Sequence, residues 1–277
     1  AGSNHSLGLK SNGTLWAWGY NVNGQLGDGT TTDKVIPVQI GTDNNWVSLS
    51  AGLYYSLGLK SDGTLWGWGS NGYGELGIGT TGGYETSPVQ IGTDDKWISM
   101  IVGNFHTIGL KSDGTLWAWG RNNYGQLGDG TITDQNNPLQ IGTENKWVSI
   151  AAGKFHTLGL KSDGTLWAWG YNNYGQLGDG TTTDQHSPMQ TSITLDVWLS
   201  VTAGNSHTLG LKSNGTIWAW GRNNYGQLGD GTIIDKNSPV QIGTDNNWIS
   251  VIAGSNHSLG LKSNGTLWAW GYNVNGQ

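Results

Sequence analysis

Residues 156–170 read His-Thr-Leu-Gly-Leu-Lys-Ser-Asp-Gly-Thr-Leu-Trp-Ala-Trp-Gly, and residues 171–181 continue Tyr-Asn-Asn-Tyr-Gly-Gln-Leu-Gly-Asp-Gly-Thr. Leu-Gly-Leu and Trp-Ala-Trp alternate large and small as strands do, and glycine recurs too often for a helix. The Asp163-Gly164 pair between the two runs favours a two-residue type I′ turn. This block therefore predicts a hairpin followed by a glycine-rich connection. It begins again at Ala1, Ala51, Val102, Ala152, Ala203 and Ala253, in steps of 50, 51, 50, 51 and 50 residues. The two one-residue insertions lie between Gly79 and Pro88 and between Pro188 and Trp198, in predicted loops.

Four strands per period follow from alternation and turn signals: Trp46 to Ser50, His5 to Lys10, Thr14 to Trp18, and a short Val38 to Ile40. The expected turn pairs Lys10 with Leu15, Leu9 with Trp16, Gly8 with Ala17 and Leu7 with Trp18. Leu7, Leu9, Trp16 and Trp18 then share one bulky face, and Gly8 and Ala17 leave the other flat for a neighbouring blade's tryptophans. A period near fifty with four short strands fits a β-propeller rather than a helical solenoid. The predicted fold is all-β, with four-stranded antiparallel blades in about five and a half repeats, making residues 1–277 a single repeat domain.

Composition agrees. Glycine supplies 48 residues and tryptophan 17 against two phenylalanines and two methionines, so the core is not ordinary helical packing. With 13 basic and 19 acidic side chains the net charge is −6, which offers nucleic acid and anionic lipid no general attraction. Cysteine is absent, which removes disulfides, thiolate metal sites and thiol catalysis. No apolar run approaches the roughly 20 residues of a membrane-spanning helix, and no signal peptide is read.

The stretches His106 to Thr131 and His156 to Thr181 resemble the regulator of chromosome condensation repeat, and the resemblance covers essentially the whole chain. It implies propeller blades, of which members usually close seven. It does not choose a function, because members include an exchange factor for a small GTPase, an ultraviolet-B photoreceptor, β-lactamase inhibitors and bacterial surface or secreted repeats. The exchange factor's basic tail has no counterpart in this acidic chain. The photoreceptor's tryptophans are replaced by Asn4, Tyr54, Phe105, Phe155, Ser206 and Asn256, so light sensing through that cluster is not expected.

Site candidates are weighed against structural roles. His5, His106, His156, His207 and His257 recur at one position, with Tyr55 in the same slot, and are expected to be buried and to hydrogen-bond backbone between blades. The carboxylate pairs Asp28 and Asp33, Asp129 and Asp134, Asp179 and Asp184, and Asp230 and Asp235 could suggest calcium, yet repeat two has Ile78 instead, so turn formation is expected. The Gly-Gln-Leu-Gly loop precedes no helix and reads as a structural connection. Lys10, Lys60, Lys111, Lys161, Lys212 and Lys262 read as solvated rim residues. Arg121 and Arg222 break the pattern where other units have Tyr20, Ser70, Tyr171 and Tyr272. With Tyr73, Tyr124, Tyr174 and Tyr225 they form the candidate partner-binding surface, since arginine and tyrosine are favoured in binding hot spots.

No irregular constellation of nucleophile, base and acid appears, so neither an enzyme nor a cofactor or metal site is expected. The leading functional reading is a protein-interaction scaffold, secreted or on a bacterial surface. A carbohydrate-binding propeller and a purely structural or engineered array are the alternatives, and the Trp-Ala-Trp pairs decide whether a sugar has a platform. Residues 1–25 are identical to residues 253–277, which suggests a window from a longer tandem array, or ends that compete for one closing position with self-association through the terminal repeats.

Overall fold

The computed structural model describes residues 2–191 and 197–276. It contains 22 strands and, among the described residues, no helix. The chain packs as two compact units, residues 1–123 with 133–145 and residues 124–132 with 146–277. In the first unit β1 (His5–Leu9), β2 (Leu15–Gly19) and β3 (Lys34–Gln39) form a three-stranded sheet. Two four-stranded sheets follow: β4 (Trp46–Ala51), β5 (Tyr55–Lys60), β6 (Leu65–Ser70) and β7 (Tyr84–Gln90), then β8 (Trp97–Val102), β9 (His106–Lys111), β10 (Leu116–Gly120) and β11 (Gln135–Gln140).

In the second unit the four-stranded sheets are β12 (Trp147–Ala152), β13 (His156–Lys161), β14 (Leu166–Gly170) and β15 (Gln185–Gln190), then β16 (Trp198–Ala203), β17 (His207–Lys212), β18 (Ile217–Gly221) and β19 (Lys236–Gln241). A three-stranded sheet of β20 (Trp248–Ala253), β21 (His257–Lys262) and β22 (Leu267–Gly271) completes it. Every sheet is an antiparallel meander in chain order, as the repeat predicts. The fourth strand starts earlier than expected, at Lys34 rather than Val38. The insertion after Gly79 extends the β6–β7 connection, with Gly82 and Gly83 both at positive φ. The insertion before Trp198 falls in part outside the described residues.

The hairpin register differs from the sequence expectation by one residue. Leu9 pairs with Leu15, Gly8 with Trp16, Leu7 with Ala17 and Ser6 with Trp18. A type I′ turn would need positive φ at Asn12 as well as Gly13, and no non-glycine residue has positive φ among the described residues. Gly13 N instead donates to Lys10 O at 2.9 Å and Lys10 N to Thr14 O at 3.1 Å, which makes a three-residue loop with Gly13 at φ 78°. The side chain before the glycine selects this turn. Asp62 Oδ1 accepts from Thr64 N at 3.0 Å and Thr64 Oγ1 at 2.7 Å, and that hydroxyl accepts from Trp66 Nε1 at 3.0 Å.

One residue of slip exchanges the faces. Leu7, Leu9, Leu15 and Ala17 now share a face, and Gly8 lies with Trp16 and Trp18 on the other. In the complete sheets the glycine makes room for the same blade's first-strand tryptophan. A Cβ at Gly159 would lie 2.5 Å from the Trp147 ring, so this glycine does not serve a neighbouring blade as expected. Stacking sets a leucine face on the next tryptophan face. In the second unit Leu158, Leu160, Leu166 and Ala168 pack against Trp198, Val201 and Trp220. Trp220 and its counterparts Trp68, Trp119 and Trp169 are fully buried, and each such ring removes on the order of 150–250 Å² from water. Blade stacking is therefore the main source of cohesion within each unit.

Candidate functional site

The hairpin register carries the residue before the motif histidine to the same sheet end as the residue after the Trp-Gly pair. His106 pairs with Gly120, and Arg121 N donates to Phe105 O at 2.9 Å. The tyrosine of the following connection is held there as well. Tyr174 N donates to Gln176 Oε1 at 3.0 Å, while Asn172 Oδ1 accepts from Leu177 N at 3.0 Å and Asn172 Nδ2 donates to Asp179 Oδ1 at 3.1 Å and Thr183 O at 3.0 Å. Asp184 Oδ1 accepts from Asn172 N at 2.7 Å, and burial raises its carboxyl above the usual range. The paired aspartates thus lock the loop by accepting hydrogen bonds from it, the turn-forming role expected of them.

On this frame the first unit places the Arg121 guanidinium 4.6 Å from the Tyr73 ring and 5.6 Å from Phe105, with the two rings 5.3 Å apart. In the second unit Tyr124 lies 5.2 Å from Phe155 and 4.8 Å from Tyr171, and Tyr171 lies 6.1 Å from Tyr174. The Arg222 guanidinium sits 4.7 Å over Tyr174, and Tyr225 meets Tyr272 edge to face with ring centroids 4.9 Å apart. These rings are half-buried except Tyr225, which is 45% exposed. All six sequence candidates therefore stand in aromatic or cation–aromatic clusters: Tyr73 with Arg121, Tyr124 and Tyr174 around Tyr171, Arg222 on Tyr174, and Tyr225 on Tyr272. Phe105, Phe155, Tyr171 and Tyr272 complete the clusters and were not among the candidates. Only the register brings them in.

The histidines are structural in a more specific way than expected. His5 Nε2 lies 2.8 Å from Ser56 Oγ, and that hydroxyl donates its one proton to Gln25 O at 2.8 Å. Nε2 must therefore carry a proton, and with Nδ1 buried and without a hydrogen-bond partner the ring is neutral. His207 repeats the relay through Ser258 to Gln227 O. The bond between blades thus runs through a hydroxyl rather than directly to backbone. Burial pushes His5 and His207 down to about 4 and His106 to about 3. Tyr55 fills the same slot by donating to His106 O at 2.6 Å.

The lysines correct the sequence reading. Lys60, Lys111, Lys161, Lys212 and Lys262 are buried, and Lys212 is 1% exposed. Each ammonium lies against two tryptophans, as Lys111 does at 4.7 Å from Trp97 and 3.5 Å from Trp117, and Lys60 and Lys262 also pair with Asp43 and Asp245 at 2.8 and 2.6 Å. Two indole faces replace much of the water that a rim lysine would keep. Lys10 alone keeps the expected exposure. The Trp-Ala-Trp pairs consequently offer little to a sugar in the complete blades: the second ring is buried and the first is capped by lysine. The Gln-Leu-Gly loop is structural as expected. Gln25 O accepts from Trp68 Nε1 at 3.0 Å, and a Cβ on Gly27 would lie 2.8 Å from that indole.

A family model described as RCC1-like domain matches residues 1–277. The ultraviolet-B receptor UVR8 of Arabidopsis thaliana is 36% identical over 255 residues, covering 87% of this chain and 44% of the receptor. Protein RCC2 homolog of Xenopus laevis is 31% identical over 138 residues, 50% of this chain and 17% of that protein. The chain spans less than half the length of these curated relatives. Among solved structures, yeast RCC1 (Prp20) bound to Kap60 superposes with a TM-score of 0.87 at 25% identity, covering 99% of this chain and 69% of that one. Human WBSCR16, at 23% identity and a TM-score of 0.84 over 95% of this chain and 70% of its own, shares the fold.

Proposed function

This chain belongs to the RCC1-like domain family, and we propose that it is a non-enzymatic scaffold, a single repeat domain that binds a protein partner through the aromatic and guanidinium clusters at one end of its sheets. The observation that carries this reading is the set of half-buried tyrosines held in place by arginine or by a second ring, with Arg222 on Tyr174 as the clearest case. Such rings lose little conformational freedom on binding, and a pre-stacked guanidinium presents donors to carboxylates or carbonyls. Yeast RCC1 (Prp20) was solved bound to Kap60, so a protein partner is in keeping with the family. A carbohydrate would have to use an exposed ring such as Tyr84, Tyr225 or Trp268, since the tryptophan platforms of the four-stranded sheets are covered.

The test is a quantitative one. A partner captured on the immobilised chain is purified, and its affinity is compared for the chain and for the triple variant Tyr124→Ala, Tyr174→Ala, Tyr225→Ala. A loss of tenfold or more is expected, and unchanged affinity removes the reading. The same sample on a glycan array returns the carbohydrate alternative if sugars bind and that variant abolishes it.

A further inference from the structure

Two cations of the second unit depart from the repeat. Lys154 stands where the other repeats have Ser3, Leu53, Asn104, Asn205 and Ser255, and Arg222 where four of them have tyrosine or serine. Backbone bonds fasten both to one dipeptide: Lys154 N donates to Asn205 O at 3.3 Å and Arg222 N to Ser206 O at 2.9 Å. The two side chains therefore rise from neighbouring points at one sheet end. Rings link them. The Lys154 ammonium lies 5.1 Å from the Phe155 ring, Phe155 lies 6.5 Å from Tyr171, Tyr171 lies 6.1 Å from Tyr174, and the Arg222 guanidinium lies 4.7 Å over Tyr174. A half-buried aromatic row thus carries a cation at each end.

Neither cation is neutralised. Among the described residues no carboxylate pairs with Lys154 or Arg222, and neither side chain makes a hydrogen bond. Lysines elsewhere are matched: Lys60, Lys111 and Lys262 hold Asp43, Asp94 and Asp245, and Lys34 holds Asp28. The fold does not ask for charge at these two positions, since the same backbone carries serine, asparagine or tyrosine there in other repeats. A guanidinium lying on a ring keeps its edge of N–H donors free for a carboxylate, and the tyrosine faces are at hand for the apolar part of a peptide. A nucleic acid strand would bring a phosphate with every nucleotide toward a chain of net charge −6, whereas two carboxylates on a peptide match two cations.

We infer that this row is a binding site for an acidic peptide segment, laid across Phe155, Tyr171 and Tyr174 with one carboxylate on Lys154 and another on Arg222. The path through the rings from one cation to the other is no longer than about 22 Å, so the two carboxylates stand no more than about seven extended residues apart. The site lies on the tyrosine and arginine surface of the scaffold reading and depends on that reading, to which it adds the charge and spacing of the partner.

The test selects phage-displayed dodecapeptides on the immobilised full chain, and the enriched sequence is then made as a fluorescein-labelled peptide and read by anisotropy. Enriched peptides are expected to carry two or more Asp or Glu within that spacing. Affinity is expected to fall at least tenfold in the double variant Lys154→Gln, Arg222→Gln, equally for a peptide whose carboxylates are replaced by amides, and several-fold on the unaltered chain as NaCl rises from about 0.05 to about 0.5 M. The amide peptide and the salt series leave the protein untouched, so the result stands even if the double variant does not fold. Neutral or basic enriched peptides, no enrichment, equal binding of the amide peptide, or tighter binding of a twelve-nucleotide oligothymidylate overturns the acidic-peptide site. If the enriched peptides lack carboxylates yet lose affinity in the variant Tyr124→Ala, Tyr174→Ala, the acidic partner is wrong and the scaffold surface stands; if they also bind that variant unchanged, both fail.

Discussion

The neutral histidines predict how the fold responds to acid. His5, His106 and His207 are pushed by burial from 6.5 to about 4, about 3 and about 4. A depressed folded-state pKa means that the unfolded chain binds more protons below 6.5, so stability is full above that pH and is lost as pH falls toward the folded values. Between about pH 7.5 and about pH 5 each histidine protonates about 97% in the unfolded chain and about a tenth or less in the folded one, which costs about 2 kcal/mol each and about 6 kcal/mol for the three. Glu75 acts in the opposite direction, because burial raises its carboxyl and protonation then favours the folded chain. The measurement is urea unfolding at both pH values in a Glu75→Gln background, with histidine carbon-bound proton shifts followed by NMR across the same range. A loss of several kcal/mol is expected, with His5 and His207 resonances unchanged down to about pH 5. Stability that is flat or rises on acidification, or histidines that titrate near 6.5, would refute the neutral state that burial imposes on these rings.

Two further substitutions probe the frame. Glu75 stands where the other repeats have Gln25, Gln126, Gln176 and Gln227, and its buried carboxylate accepts from Tyr73 N at 2.7 Å and Ser70 Oγ at 2.9 Å. Glu75→Gln keeps an oxygen for Tyr73 N and removes the buried charge, so stability at neutral pH should rise on the order of 1 kcal/mol, with the gain shrinking as pH falls. Asn172→Ala removes the buried amide that ties the connection together and leaves Leu177 N without its acceptor. A cost of about 3 kcal/mol in chemical denaturation is expected, together with loosening of the Tyr171 and Tyr174 pair seen as altered ring shifts.

The four-stranded antiparallel blade and its strand order were legible from the fifty-residue period, because period and alternation report backbone geometry directly. Register was not. Asp-Gly and Asn-Gly suit a two-residue turn, but the threonine that follows gives the Asp or Asn oxygen two donors, and that bonding keeps the residue before glycine at negative φ. The relevant signal was Asp-Gly-Thr rather than Asp-Gly. The same slip hid half the candidate site: Arg121 and Arg222 stood out as breaks in the repeat, whereas Phe105 becomes a neighbour of Arg121 only once His106 is set opposite Gly120. The lysines were misread because their cage is built by a strand some fifteen residues upstream, as Trp46 is for Lys60.

These corrections bear on where recognition can reside. In β5, β9, β13 and β17 every side chain is buried, one face under leucines and the other under tryptophans. A substitution there changes stacking before it changes any surface. The turn end of the hairpin is likewise committed, since its threonine holds an indole and its lysine lies between that indole and one more. Sequence freedom is left to the opposite sheet end, and it is there that the repeat varies between tyrosine, serine and arginine at positions 20, 70, 121, 171, 222 and 272. If the chain is the scaffold proposed above, its partner is discriminated by residues the core does not need, and a nearly uniform repeat can still carry a specific surface.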